Sequence, residues 1–226
     1  MNFEEFRDKI KSCNICNNFK NKHTDPLYFN CKSPENVKCL IITEQPKEDK
    51  YNFINEESVK NDLLLNNNKG STSGRLINIF GKTFAKSIID ESGVYYWTHH
   101  TKCPSRERGY RKKCINEWFK KELKLFSNLS SIISLGTEPY RGIVSTSDNL
   151  KNVNFYDYFW DEIEMIITNN FSKDKLNIII DGKNYNFLAL PHPSSANPLS
   201  NLLKRFNSII EWIKKEFKIN GMEFIS

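Results

Sequence analysis

The sequence predicts an α/β protein with a mostly parallel sheet. Short apolar runs alternate along the chain with longer segments that have helical periodicity. The run from Val37 to Thr43 precedes a helical pattern from Gly74 to Ile89, and the run from Val94 to Thr98 precedes a helix over 112–126. Continuous apolar runs of this length are typical of strands buried on both faces. Strands that alternate with helices predict parallel pairing through helical crossovers.

The remaining segments extend this pattern. Ser130 to Leu135 predicts a third strand, ended by Gly136, with a helix that follows from Glu138. Asp181-Gly182 lies between two apolar runs and predicts a hairpin over Ile178 to Leu190. Other patterns predict a helix over 2–12, an irregular segment over 51–73, an insertion over 145–175 with a helical piece near Trp160–Ile167, and a final amphipathic helix over 199–217. With no linker and no internal repeat, we expect one domain over 1–226.

Composition narrows the class of protein. The chain has 226 residues, 38% of them hydrophobic, and a formal net charge of +6. No apolar run approaches the roughly 20 residues of a membrane-spanning helix, and the N-terminus has no signal-peptide pattern. We therefore expect a cytoplasmic monomer without membrane contact. In a reducing compartment cysteines bind metals more often than they form disulfides, although six cysteines leave three disulfides as an alternative.

Four cysteines form two separated pairs. Cys13 and Cys16 have the Cys-x-x-Cys spacing that lets two thiolates bind one metal, and Cys103 and Cys114 are 11 residues apart at a predicted helix start. Soft four-sulfur coordination suits zinc or an iron–sulfur cluster. The alternative is a set of unrelated buried thiols. Cys39 lies within the first strand and is expected to be a small core residue.

A basic segment runs from Lys102 to Lys113 and includes the residues between the second pair of cysteines. The segment contains several cations and one acid, Glu107. Metal ligands at its two ends would hold the cations in place to bind phosphates. A solvated surface run is the alternative. The candidate DNA contacts are Lys102, Arg106, Arg108, Arg111, Lys112 and Lys113.

Three polar loops follow predicted strands: Glu44-Gln45-Pro46, His99-His100-Thr101-Lys102 and His192-Pro193-Ser194. Because functional loops gather at the carboxyl ends of parallel strands, we expect all three at one edge of the sheet. A carboxylate there can orient water or stabilise a developing cation. A histidine between two prolines is held rigidly and can donate to a developing anion.

Together these motifs resemble the iron–sulfur branch of the uracil-DNA glycosylase superfamily, in a divergent form similar to family four. The order of the motifs is that of the family, and they extend over nearly the whole chain. The matching stretches are Cys13–Cys16, Thr43-Glu44-Gln45-Pro46-Lys47, Thr98-His99-His100-Thr101-Lys102-Cys103, Lys113-Cys114-Ile115, Leu135-Gly136-Thr137 and Pro191-His192-Pro193-Ser194.

The resemblance implies a three-layer α/β/α sandwich around a four-stranded parallel sheet, and a [4Fe-4S] cluster, with zinc as the alternative, on the four cysteines. It also implies a monofunctional glycosylase that flips a base out of DNA, because the reactive carbon is buried in the duplex. Glu44 and Gln45 would act on the attacking water or the sugar cation, and His192 on the base carbonyl. Substrate contacts are assigned to His99, His100, Phe53, Ser194 and Asn197.

The sequence departs from the family pattern at the base pocket. Thr43 and Lys47 replace two family glycines, and His99 replaces the asparagine that reads the base edge. A neutral histidine offers one donor and one acceptor in a different shape. The family's stacking phenylalanine has no clean match, and Phe53 and Tyr51 are the candidates. We therefore expect excision of uracil or a modified pyrimidine, with modified cytosines of phage DNA or a non-catalytic DNA-binding protein as alternatives.

Overall fold

The computed structural model describes residues 1–15, 29–46, 56–65, 72–103, 108–168 and 176–193. Six α-helices and five strands lie in these ranges, and α3 is kinked at Gly81. None of the described helices is long and apolar enough to cross a lipid bilayer. The elements are α1 Phe3–Lys11, β1 Cys39–Thr43, α2 Glu56–Leu65, α3 Thr72–Ile89, β2 Tyr95–His99, α4 Arg108–Leu123, β3 Ser131–Leu135, α5 Thr137–Ser145, α6 Phe155–Thr168, β4 Asn177–Ile180 and β5 Lys183–Leu190.

The described strands form one five-stranded sheet in the order β2-β1-β3-β5-β4. The first four pair in parallel, and β4 pairs with β5 in the antiparallel sense. The predicted mixed α/β class and mostly parallel sheet are confirmed. The sheet has one strand more than the family resemblance implies, because the predicted hairpin adds β4 at an edge. Asp181 and Gly182 both have positive φ, as the tight turn of such a hairpin requires.

Helices pack on both faces of β2. Tyr95 and Trp97 contact Phe84 of α3, whereas Tyr96 contacts Phe3 of α1. Because successive side chains of a strand point to opposite faces, α3 and α1 lie on opposite sides of the sheet. The two aromatic clusters supply much of the buried core around this strand.

Several element boundaries differ from the predictions. Helix α2 lies within the segment predicted to be irregular. Helix α4 begins at Arg108, so Cys114 lies within the helix and not at its start. Strand β2 ends at His99, which therefore belongs to the hydrogen-bonded ladder. The predicted helix over 199–217 lies outside the described residues.

Helix α6, within the predicted insertion, covers β5 where β4 no longer pairs with it. The antiparallel pairing ends at Asn186, opposite Asn177. Beyond that point the Tyr158 hydroxyl donates to the Phe187 carbonyl at 3.2 Å, and the Ala189 N–H donates to Glu162 Oε1 at 2.8 Å. Side chains of α6 thus satisfy backbone groups of β5 that would otherwise be buried without partners.

Candidate functional site

The carboxyl ends of the parallel strands bring the three predicted loops to one edge of the sheet. The His100 N–H donates to the Thr43 carbonyl at 2.7 Å, and the Thr101 N–H donates to the Glu44 carbonyl at 3.0 Å. On the other side, the Gly136 N–H donates to the Leu190 carbonyl at 2.8 Å, two residues before His192. The predicted gathering of these loops at one edge is confirmed.

His192 lies directly against the start of α5. A Cβ at Gly136 would lie 3.2 Å from His192 Cβ, and Gly136 has φ of +102°. A side chain at this position would therefore be both strained and crowded. Burial lowers the pKa of His192, so its imidazole is neutral near pH 7. The backbone holds this ring close to the strand ends, as the flanking prolines predict.

Arg75 is a site residue that sequence reasoning missed. Its Nη1 donates to the Pro193 carbonyl at 2.7 Å, which ties the loop after β5 to α3. In the sequence Arg75 is a polar position of an amphipathic helix, and such positions usually face solvent. No local signal distinguishes it, because its partner is 118 residues away.

His99 is 4% exposed, and its ring packs against two aromatic neighbours that also contact each other. Its centroid lies 5.6 Å from that of Trp97 and 6.4 Å from that of Phe29. Burial first, and then the charges of Lys102 and His192, lower its pKa to about 3. Its ring is therefore neutral, and among the described residues its Nδ1 has no hydrogen-bond partner.

Thr43, at the end of β1, has a structural role at this edge. Its hydroxyl accepts a hydrogen bond from Trp97 Nε1 at 2.9 Å. Trp97 in turn packs beside His99. Thr43 thus supports the aromatic neighbour of His99.

His100 points to the other face of the sheet and contacts α5. A Cβ at Gly142 would lie only 2.1 Å from His100 Nε2, so the helix backbone touches the ring. Burial, followed by the charges of Lys102 and Arg111, lowers its pKa to about 4. The expected substrate contact does not fit this position, because α5 covers Nε2. His100 is instead a packing residue between β2 and α5.

Lys102 is also buried, and its expected contact with DNA phosphates does not fit. Its Nζ lies 2.7 Å from Glu122 Oε2, 2.7 Å from Thr98 Oγ1 and 2.9 Å from the His99 carbonyl oxygen. The Thr98 hydroxyl donates to the other Glu122 oxygen at 2.7 Å. The Lys102 ammonium group is thus paired within a buried hydrogen-bond network of the protein itself. Sequence reasoning missed Glu122, since a glutamate next to helix lysines is ordinarily exposed.

The other basic candidates divide into two groups. Lys112 and Lys113 on α4 are exposed. Arg111 is only 14% exposed, and its Nη1 lies 2.6 Å from Glu44 Oε1 and 3.8 Å from Glu138 Oε2. Nothing is described for the Arg108 side chain, and Arg106 lies outside the described residues, as do Cys16, Tyr51, Phe53, Ser194 and Asn197.

Three of the four candidate metal ligands lie around the first half of α4. The Lys102 N–H donates to Cys114 Sγ at 3.4 Å, which brings the Cys103 loop to this helix. Cys13 lines a cavity with Glu117 and Trp118, one turn beyond Cys114. Within the described ranges, no three His, Cys, Asp or Glu side chains form a group that could hold one metal ion. The sulfur donors and the N–H bond to Cys114 fit a cluster or a zinc ion in their chemistry.

The remaining described cysteines are poor candidates for ligands. Burial raises the pKa of Cys31 to about 11, and burial raises the pKa of Cys39 further. Both stay thiols at neutral pH, whereas metal ligation requires the thiolate. The expected core role of Cys39 agrees with its complete burial in β1.

Comparison with known proteins adds no family assignment. No family model matches the chain, and no curated protein sequence matches it. The residues gathered at the sheet edge are therefore the basis for inferring a function. Described members of that site are a half-buried carboxylate, Glu44, the neutral imidazoles of His99 and His192, and the Arg111 guanidinium.

Proposed function

We propose that this protein is a DNA glycosylase that hydrolyses the N-glycosidic bond of uracil or a modified pyrimidine. The observation that carries the proposal is the placement of Glu44 and His192 at the same edge of a parallel sheet. Cleavage of this bond makes the sugar cationic and the departing base anionic. A carboxylate and a neutral hydrogen-bond donor are the groups that stabilise these two charges.

Each residue has a distinct role in the proposed reaction. His192 is neutral near pH 7 and donates a hydrogen bond to the base carbonyl as negative charge develops there. Glu44 and Gln45, both half-buried after β1, orient the attacking water and stabilise the sugar cation. The target base is flipped out of the DNA double helix, because the residues at this edge of the sheet have to reach the glycosidic carbon.

DNA would be held by the exposed part of the basic segment. Lys112 and Lys113 face solvent on α4, and the net charge of +6 favours a polyanionic partner. Arg106 and Arg108 remain candidates from the sequence. Lys102 is excluded from this role by its bonds to Glu122.

The proposal includes a [4Fe-4S] cluster held by Cys13, Cys16, Cys103 and Cys114. When bound, the cluster would cross-link the N-terminal segment to α4 and take no part in bond cleavage. The family's three-layer sandwich is part of the same proposal, and helices on both faces of β2 support it. The protein would then work on DNA in a prokaryotic cytoplasm.

Two observations favour other functions on the same fold. His99, in place of the family asparagine, favours a modified cytosine over uracil, for example in phage DNA, because its hydrogen-bonding shape differs. The ion pair between Glu44 and Arg111 would suit a non-catalytic DNA-binding protein if the guanidinium kept the carboxylate from the reaction, whereas a carboxylate that the pair only orients suits the enzyme. The two alternatives differ in whether any abasic product forms.

A glycosylase assay tests the proposed function. Purified protein is incubated with oligonucleotides that carry uracil, thymine, cytosine or a modified cytosine, and abasic sites are detected by alkaline cleavage. We expect abasic product from uracil or a modified pyrimidine, and a loss of about 100-fold or more in His192→Ala. Tight binding without product would support the non-catalytic alternative. Circular dichroism of His192→Ala controls for loss of the fold, and full activity in that variant would contradict its role.

A further inference from the structure

Arg111 differs from its basic neighbours because it faces the sheet edge and not the solvent. Its guanidinium lies 2.6 Å from Glu44 and 3.8 Å from Glu138, and the side chain is 14% exposed. Lys112 and Lys113 follow it directly in the sequence and are exposed. A residue whose charge is already paired within the protein is poorly placed to neutralise a DNA phosphate.

The geometry of α4 explains this division. Residues three and four apart share a helix face, so Arg111 lies on the same side as Cys114 and Ile115. Both of these side chains are buried. Lys112 and Lys113 are turned away from that face by the helical period. Within this short basic run, Arg111 thus points toward the sheet edge, whereas Lys112 and Lys113 point to solvent.

The contacts of Arg111 connect two strand ends. Glu44 follows β1, and Glu138 lies in the first turn of α5 after β3. Two carboxylates at one edge repel each other, and a guanidinium beside both lowers that repulsion. A charge-assisted bond of 2.6 Å also restricts the rotamers available to Glu44, which is 37% exposed.

We propose that Arg111 is a positioning residue for Glu44 and not a phosphate contact. The proposal rests on the proposed function, in which Glu44 acts on the water or the sugar cation. Arg111 holds the carboxylate in its working orientation from α4, the helix that also carries Cys114. Through this pair the cysteine-bearing helix is coupled directly to the reacting carboxylate.

Turnover kinetics of Arg111→Gln test this role. We expect kcat to fall about 10- to 100-fold with little change in KM, because misplacement of a reacting group affects the chemical step. Arg111→Lys should recover part of kcat. Arg111→Gln combined with Glu44→Gln should be no slower than Glu44→Gln alone, since the arginine acts through that carboxylate. Additive losses, or a kcat that rises in Arg111→Gln, would overturn the proposal.

Arg141→Gln is the matched control. Arg141 also pairs with Glu138, at 3.2 Å, but it is 62% exposed and lies on α5. The same substitution there removes an equal charge and a bond to the same acid without touching Glu44. We expect kcat to stay within about twofold of the wild type, as for an exposed pair. An equal loss in both variants would assign the effect to Glu138 or to net charge.

Salt dependence of DNA binding separates the two roles without turnover. Loss of one phosphate contact lowers the slope of log K against log salt by about 0.9. Lys112→Gln should show this decrease, and Arg111→Gln should not. A decrease in Arg111→Gln would make it a phosphate ligand and overturn the proposal.

If the wild-type protein cleaves no substrate, the proposed function fails on its own. The pairing of Arg111 with Glu44 is then judged by thermal unfolding of the two single variants and the double variant. Non-additive Tm changes would support the contact. Additive changes would overturn it.

Discussion

At the residue scale, His99 and His100 are consecutive but have unlike surroundings. Their side chains leave β2 and the following loop on opposite faces, so His99 stacks on aromatic rings whereas His100 contacts Gly142. Burial lowers the pKa of both rings to about 3 and 4, and neither is cationic at neutral pH. Of these two rings, only that of His99 stays a candidate for the proposed contact with the base.

Gly142→Ala is expected to destabilise the protein. The new Cβ would lie 2.1 Å from His100 Nε2 and 2.4 Å from its Cδ2, so the ring or the helix has to move. Overpacking of this kind costs about 1–3 kcal/mol of unfolding free energy. Urea unfolding monitored by circular dichroism measures the change.

Gly109→Ala is the control for this prediction. Gly109 is exposed in the first turn of α4, and a Cβ there meets nothing within 4 Å. We expect unchanged or slightly raised stability, as for alanine in place of a helical glycine. Equal destabilisation in both variants would contradict the contact between Gly142 and His100. His100→Ala should restore part of the stability lost in Gly142→Ala.

At the element scale, α6 explains how the sheet tolerates a short edge strand. Strand β4 has four residues, and among the described strands the second half of β5 has no partner on that side. Tyr158 and Glu162 supply the missing hydrogen bonds from the helix. Burial raises the pKa of Glu162 well above its usual range, so its carboxyl group keeps its proton to higher pH in the folded protein than in the unfolded chain.

Glu162 makes stability depend on pH in a definite direction. The folded chain keeps a proton that the unfolded chain releases above about pH 4.5. The stabilising contribution is therefore complete below that pH and is lost as pH rises toward the raised pKa, at up to about 1.4 kcal/mol per pH unit. Glu162→Gln keeps an acceptor for the Ala189 N–H and has no proton to lose. We expect this variant to exceed the wild type in stability at pH 8 but not at pH 4.5, as measured by urea unfolding.

Glu164→Gln is the matched control on the same helix. Glu164 is exposed, and its substitution should leave the pH dependence of unfolding as in the wild type. If Glu162→Gln and the wild type lose stability in parallel between pH 5 and pH 8, the buried proton is not the cause.

At the scale of the whole molecule, distant segments converge on α4. The N-terminal segment meets it through Phe6, whose ring centroid lies 5.6 Å from that of Trp118. The loop after β2 meets it through the pair of Lys102 with Glu122 and the N–H bond to Cys114. A shared metal would join the same segments covalently.

Cys114→Ala is expected to lose bound metal. For a [4Fe-4S] cluster, anaerobically purified wild-type protein should be brown and contain about four irons per chain. The variant should be colourless and melt at a lower temperature, because metal binding stabilises only the folded state. Elemental analysis and visible absorbance measure the two properties.

Cys39→Ala is the control, since Cys39 is buried in β1 and its thiol stays protonated. It should keep its metal content. Stoichiometric zinc without iron in the wild type would show that the cysteines hold zinc and not a cluster. Full metal content in Cys114→Ala would remove Cys114 from the ligands.

Features that depend on local pattern could be predicted from the sequence. Apolar runs marked the parallel strands, and Asp181-Gly182 marked the hairpin because its turn requires positive φ. The common edge of the loops after β1, β2 and β5 followed from parallel pairing alone. Helix boundaries differed from the predicted ones, and α2 was not predicted because its hydrophobic periodicity is weak.

The sequence by itself determined the α/β class, the polar edge with Glu44, His99 and His192, and the candidate thiolates. These depend on side-chain period, turn chemistry and residue type, which are local properties. Only the tertiary structure decided that Lys102 is internal and that Arg111 meets Glu44. The partner of Lys102 is 20 residues away, and Arg111 and Glu44 are still further apart in the sequence. Whether a basic side chain is paired within the protein or can bind a ligand depends on which acid the fold brings beside it. No local sequence pattern contains that information.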